Sequence, residues 1–174
     1  MRVLMRVLVA AAVSLAAVRV LGLTRTPATV GQWRFNLPPW CREEVVKLHA
    51  RTGIDISDRL NPYDLQGDFN GGRKGDVAVL AIEPKNGKAG ILVFLRGDPN
   101  PSILGAGRDF GNGGDDFSWM ALWSVLEKGD FGRGAEGGAP PGARGDALMV
   151  TDRESVGGLM YWDGQSFRWY QQGD

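Results

Sequence analysis

The chain has 174 residues, 43% of them hydrophobic, and its 20 basic and 20 acidic side chains give a formal charge of zero. That length and apolar content suit one domain with its own core, and the charge balance excludes the basic footprint of a nucleic-acid binder. Cys41 is the single cysteine, which excludes an intramolecular disulfide.

Arg2 and Arg6 precede Val7 to Val18, a stretch that is apolar except for Ser14. The run is short of the roughly 20 apolar residues that a membrane span needs. Small residues follow near Gly22, and the pattern predicts a signal peptide or N-terminal anchor over residues 1–22. Export to the periplasm or the medium is therefore expected, with no stable transmembrane helix in the mature form. Without residues 1–22 the net charge becomes −3, which favours solubility and selects no partner. Residues 23–36, with their Pro and Thr content, are expected to form a flexible leader.

A single β-rich domain is expected over residues 37–174. In "LPPWCREEVVKLHARTG" the two prolines suit a helix start, and Glu43 and Glu44 suit its positive dipole end. Cys41, Val45 and Leu48 share one face, and Gly53 supplies a stop. His49 is the only histidine, so a zinc cluster has no second imidazole.

Beyond the helix the periodicity changes. "DVAVLAIE" and "AGILVFLR" read as strands joined through Asn86-Gly87, a hairpin signal. "SILGAG" and "SWMALWSVLE" add strands, the second on the strength of its aromatic content. Asp130 to Gly145 is rich in Gly and Pro and reads as a mobile surface loop. "DALMVTD", "GGLMYWD" and "QSFRWYQQ" close the chain as strands, the last two joined at Asp163-Gly164. The predicted class is α+β, mainly β: an antiparallel meander sheet of about six or seven strands with one N-terminal helix.

Three groups of residues invite a functional reading. In "GDFNGGRKGDVAVL", Asp68, Asn70 and Asp76 occupy positions one, three and nine of a calcium-loop pattern. Oxygens at that spacing converge on one ion when glycines let the chain curl. Positions five and six hold Gly72 and Arg73 where such loops carry an acid and a glycine. The alternative is a turn held by Asx hydrogen bonds. The stretch resembles the loop-then-strand unit of FG-GAP, or integrin-type β-propeller, repeats, and that resemblance implies possible Ca2+ ligands at Asp68, Asn70 and Asp76. It occurs once, and one repeat builds no propeller.

The wider features "PPWCREEVVKLHARTG", "GDFNGG", "FGNGGDDFSWM" and "YWDGQSFRWYQQGD" resemble a group of small exported bacterial proteins of unassigned function. That resemblance implies a periplasmic or secreted setting and no activity.

The second group is aromatic. Trp162, Trp169 and Tyr170 stand with Tyr161 and Phe167 on one hairpin, and Trp119 and Trp123 on another segment. Alternation places Trp169 and Tyr170 on opposite faces, so one face suits a core and the other a platform for a sugar ring or a protein. Cross-strand packing is the alternative. The third group consists of Asp115-Asp116 and two Arg-Gly-Asp triplets at Arg96 and Arg144, all of which suit turns. No nucleophile–base set is visible. The leading expectation is an exported, non-catalytic β-rich module, a binding or accessory protein of the bacterial cell envelope whose partner, an envelope glycan or protein, the sequence does not select. Behind it stand a calcium-dependent or carbohydrate-binding module and, last, a carboxylate-based hydrolase.

Overall fold

The computed structural model describes residues 36–132, 134, 137–153 and 157–172. The expected signal peptide, and the leader apart from Asn36, lie outside the described residues. No helix among the described residues is long and apolar enough to cross a membrane.

Helix α1 runs from Pro39 to Thr52. Pro39 occupies its first turn, where a missing N–H costs nothing. Gly53 ends it at φ 77°, its N–H donating to the His49 carbonyl. Because the helix begins at Pro39, Glu43 and Glu44 fall beyond the first turn, and no acid meets the dipole there. Cys41 and Leu48 are buried and Val45 is half-buried, as the spacing predicts. Cys41 is fully buried, and burial above all pushes its thiol up to about 12. His49 Nδ1 lies 2.7 Å from Asp55 Oδ1, which ties the end of the helix to the chain that follows.

The first sheet comprises β1 (Asp55–Ile56), β2 (Asp64–Gly67), β3 (Asp76–Glu83), β4 (Lys88–Phe94) and β5 (Ser102–Gly105). Its order is β1-β3-β4-β5, with β2 also paired to β3, and every pairing is antiparallel. The second sheet is an antiparallel meander of β6 (Leu122–Leu126), β7 (Ala147–Thr151), β8 (Gly157–Trp162) and β9 (Phe167–Gln172). Among the described residues the fold is thus mainly β with one α-helix. Its strands form two stacked sheets instead of one, with β1 and β2 added to those predicted.

The apolar run of β3 follows from its position. Val77, Val79 and Ala81 face α1 together with Leu92 and Phe94 of β4. Ala78 and Leu80 face the opposite way, joining Ile91, Val93 and Leu104 against Leu148, Val150, Met160 and Trp123 of the second sheet. A strand covered on both faces has no position that favours a polar side chain. Each large aliphatic side chain buried there contributes about 1.5–3 kcal/mol. The β3–β4 turn is closed by Gly87 at φ 72°, whose N–H donates to Glu83 O at 2.8 Å.

The outer face of the second sheet is covered as well. Ala147, Leu159, Tyr161 and Tyr170 pack with Phe131 and Ala143. The stretch expected to be a mobile surface loop therefore lies, in its described part, as a strap across the sheet. Tyr170 Oη fastens it, donating to Gly138 O at 2.8 Å and accepting from Gly134 N at 3.2 Å.

The β8–β9 turn is organised by one carboxylate. Asp163 Oδ1 accepts from Gln165 N and Ser166 N, and Oδ2 accepts from Arg168 Nε at 2.7 Å. The Arg168 contact, then the two amides, hold Asp163 down to about 2. A carboxyl depressed in the folded state stabilises fully above its ordinary value of 3.8 and loses that contribution as pH falls through about 2. Asp163→Asn is therefore expected to melt below the wild type at neutral pH, with the two melting curves converging towards pH 2. A gap of constant size across that range would show that the charge plays no part.

Candidate functional site

The Asp68 loop is a clasp between the two sheets. Asp76 is 0% exposed, and its Oδ2 accepts from Phe69 N (3.0 Å) and Asn70 N (3.4 Å) while Oδ1 accepts from Arg96 N (2.7 Å). Asn70 Oδ1 accepts from Gly72 N at 2.7 Å, an Asx turn, and Asp68 Oδ1 accepts from Arg73 N at 3.0 Å. Arg73 takes φ 58°, the left-handed conformation that calcium-loop patterns assign to glycine. That one backbone conformation matches such a loop, while the side-chain oxygens of Asp68, Asn70 and Asp76 accept from backbone amides.

The start of β7 closes over this loop. Asp146 N donates to Asp68 O (2.8 Å), and Asp68 N donates to Asp146 Oδ2 (2.9 Å). Lys128 adds its backbone N–H to Asp146 Oδ1 (3.3 Å) and its Nζ to Arg144 O (3.1 Å). Among the described residues no group of three or more His, Cys, Asp or Glu side chains is placed to hold a metal ion.

The three aromatic residues singled out by sequence do not share a surface. Tyr170 is buried under the strap. Trp162 and Trp169 lie on the other face of β8 and β9, half-buried against the inter-sheet core, with Trp162 edge-on to Phe167 at 5.3 Å. Trp169 lines a surface groove, where it meets Trp119, a ring that the sequence places in the same aromatic group but on another segment.

Trp119 ends a short 3-10 turn, Phe117–Trp119, that precedes β6. Asp116 caps that turn, its carboxylate accepting from Ser118 N and Ser118 Oγ at 3.0 Å each and from Ala89 N at 2.9 Å. Arg59 then clamps the turn from the other side, donating to the carbonyls of Phe117 (3.0 Å), Ser118 (3.4 Å) and Met120 (2.7 Å). The Trp119 indole donates to Gly113 O (3.1 Å) and stands edge-on to Trp169 at 6.2 Å and to Phe117 at 6.1 Å. It is still 37% exposed. This is a rigid ring with an open surface.

Trp169 is itself held in a cradle of glycines. A Cβ at Gly111 would stand 2.7 Å from the Trp169 Cβ, one at Gly113 2.9 Å from its ring, and one at Gly158 would overlap the indole. Its Nε1 donates to Gln171 Oε1 (3.0 Å), an oxygen that Asn112 Nδ2 also reaches at 3.4 Å, and Gln171 Nε2 donates to Gly157 O (3.1 Å). Around this pair of rings lie two adjoining depressions. One, of about 490 Å³, is lined by Arg59, Leu60, Met120, Ala121 and Arg153. The other, of about 240 Å³, is lined by Asn112, Gly157, Trp169 and Gln171. Trp119 and Asp152 belong to both, so the two form one groove.

The remaining candidates serve the fold. Asp115 pairs with Lys88, and Asp116 caps the Trp119 turn, where its backbone and Ser118 hydrogen bonds outweigh burial and hold its carboxyl below the ordinary range. Arg96-Gly97-Asp98 forms an exposed turn closed by Asp98 N to Leu95 O at 3.0 Å. Arg144-Gly145-Asp146 is part of the clasp. Comparison with protein-family models, with curated proteins and with solved structures found no match.

Proposed function

We propose that this chain is an exported, non-catalytic binding module of the bacterial cell envelope, and that its ligand is a saccharide chain seated in the groove at Trp119. The observation that carries this reading is the Trp119 ring itself. It is fixed on its edge by a hydrogen bond and two aromatic contacts, yet its surface remains open. An immobilised indole loses little entropy when the apolar face of a sugar ring stacks on it. The polar side chains of Asn112, Asp152 and Gln171 line the groove beside the ring, the residue types that meet sugar hydroxyls, with Gln171 held in place by its own hydrogen bonds. The basic-then-apolar start of the chain supports export.

Calorimetry and tryptophan fluorescence with soluble peptidoglycan fragments and N-acetylglucosamine oligomers test the proposal. Trp119→Ala is expected to weaken binding about tenfold or more, the loss typical of a buried aromatic anchor, while Trp119→Phe retains part of the affinity. Absence of both heat and spectral change with every saccharide tried would overturn it.

A further inference from the structure

The two depressions of the groove differ in charge, and that difference selects among saccharides. The larger is lined by two arginines, Arg59 and Arg153, and one acid, Asp152. The smaller contains the amides of Asn112 and Gln171 and shares that same Asp152. Arg59 is fixed in place by three backbone carbonyls, all neutral, so its hydrogen bonds orient the cation without cancelling its charge. Burial pushes its guanidinium below the ordinary range, and the nearby Asp116 carboxylate offsets only part of this. An anion brought alongside would restore what desolvation removes.

We infer that the groove prefers an acidic saccharide, a carboxylate-bearing unit lying at Arg59 and Arg153 and the neighbouring neutral ring on Trp119 beside Asn112 and Gln171. The inference rests on the saccharide-binding reading and names the chemistry of its ligand. Asp152 lines both depressions. Arg153 is exposed and makes the surface half of the cationic pair. It can be changed without disturbing the Arg59 clamp.

The test compares a hyaluronan oligomer, in which glucuronate alternates with neutral N-acetylglucosamine, with a neutral N-acetylglucosamine oligomer of equal length, by calorimetry on the full chain at low and high salt. The acidic oligomer is expected to bind about tenfold tighter at low salt, an advantage that shrinks as salt screens the guanidinium groups. Arg153→Gln should reduce that advantage about fivefold, as loss of one partly solvated charge pair implies, and Arg153→Glu should abolish it. Both variants should lower the acidic oligomer's affinity several-fold more than they change the neutral oligomer's. Equal binding of the two oligomers by the wild type would overturn the acidic preference and leave saccharide binding standing. If neither oligomer bound, the saccharide-binding reading would fall, and the inference with it.

Discussion

Gly145→Ala is expected to destabilise the protein by about 3 kcal/mol or more, the upper range for forcing atoms into a filled space. Gly145 lies where the start of β7 crosses the Asp68 loop. A Cβ there would overlap the Asp68 carbonyl oxygen and stand 2.6 Å from both Gly71 N and Phe69 C. All three are backbone atoms, so no side chain can rotate away. Relief requires parting the two segments, which breaks the paired bonds between Asp68 and Asp146 and loosens Phe69, a fully buried ring of the inter-sheet core. The φ of Gly145 lies outside the left-handed region, so the effect is one of crowding alone. Gly75→Ala is the matched control. It lies beside the same loop with no atom within 4 Å of its added Cβ, and is expected to change stability by less than about 1 kcal/mol. In a chain of this size the Gly145 substitution should lower the melting temperature by about 6–12 °C. A melt within a degree or two of the wild type would show that the clasp does not bind the sheets together.

The elements visible in sequence are those whose physics is local. Gly53 ends α1 because an αL residue is needed there, and Pro38-Pro39 opens it for the reason given by the missing N–H. The β3–β4 hairpin is visible because its strands are buried on both faces and its turn contains Asn86-Gly87. β1 and β2 are short and half-buried, and they acquire their pairing from β3 rather than from any periodicity of their own. The division into two sheets is likewise non-local. Neither β5 nor β6 carries a local mark of the sheet it joins, and the intervening turns, anchored by Asp116 and Arg59, carry the chain from one sheet to the other.

The groove was less legible for the same reason. Its residues come from five separated stretches, at Arg59–Leu60, at Asn112 to Ala121, at Asp152–Arg153, at Gly157 and at Trp169–Gln171. Counting rings along the C-terminal hairpin finds Trp169 but pairs it with Trp162 and Tyr170, which the fold consumes as core. Trp119 carried one local signal, the capping pattern Asp116-x-Ser118 that precedes it: a capped turn holds a ring in place where a strand would alternate it inward. The glycines of "FGNGG" had a purpose that only packing reveals, since they admit the Trp169 indole.

Asp76→Ala is expected to cost about 3 kcal/mol, because it leaves the buried N–H of Phe69 and the part-buried N–H groups of Asn70 and Arg96 without their shared acceptor. Asp76→Asn should cost about 2 kcal/mol, since one of its two terminal atoms becomes a donor facing a donor. Burial raises the Asp76 carboxyl, and the three amides lower it only in part. The sign is opposite to that of Asp163. A group raised in the folded state stabilises most below its ordinary value of 3.8, and the contribution declines as pH rises through the shifted value. These changes also separate the two meanings of the loop. If Asp68, Asn70 and Asp76 were calcium ligands, millimolar calcium would raise the wild-type melting temperature, and Asp76→Asn would remove that increment. With their oxygens committed to backbone amides, calcium is expected to leave the wild-type melt unmoved. Asp76→Asn should then lower it equally in calcium and in chelator. A calcium-dependent rise in the wild type would reinstate the ion and make the amide-bound loop its resting form.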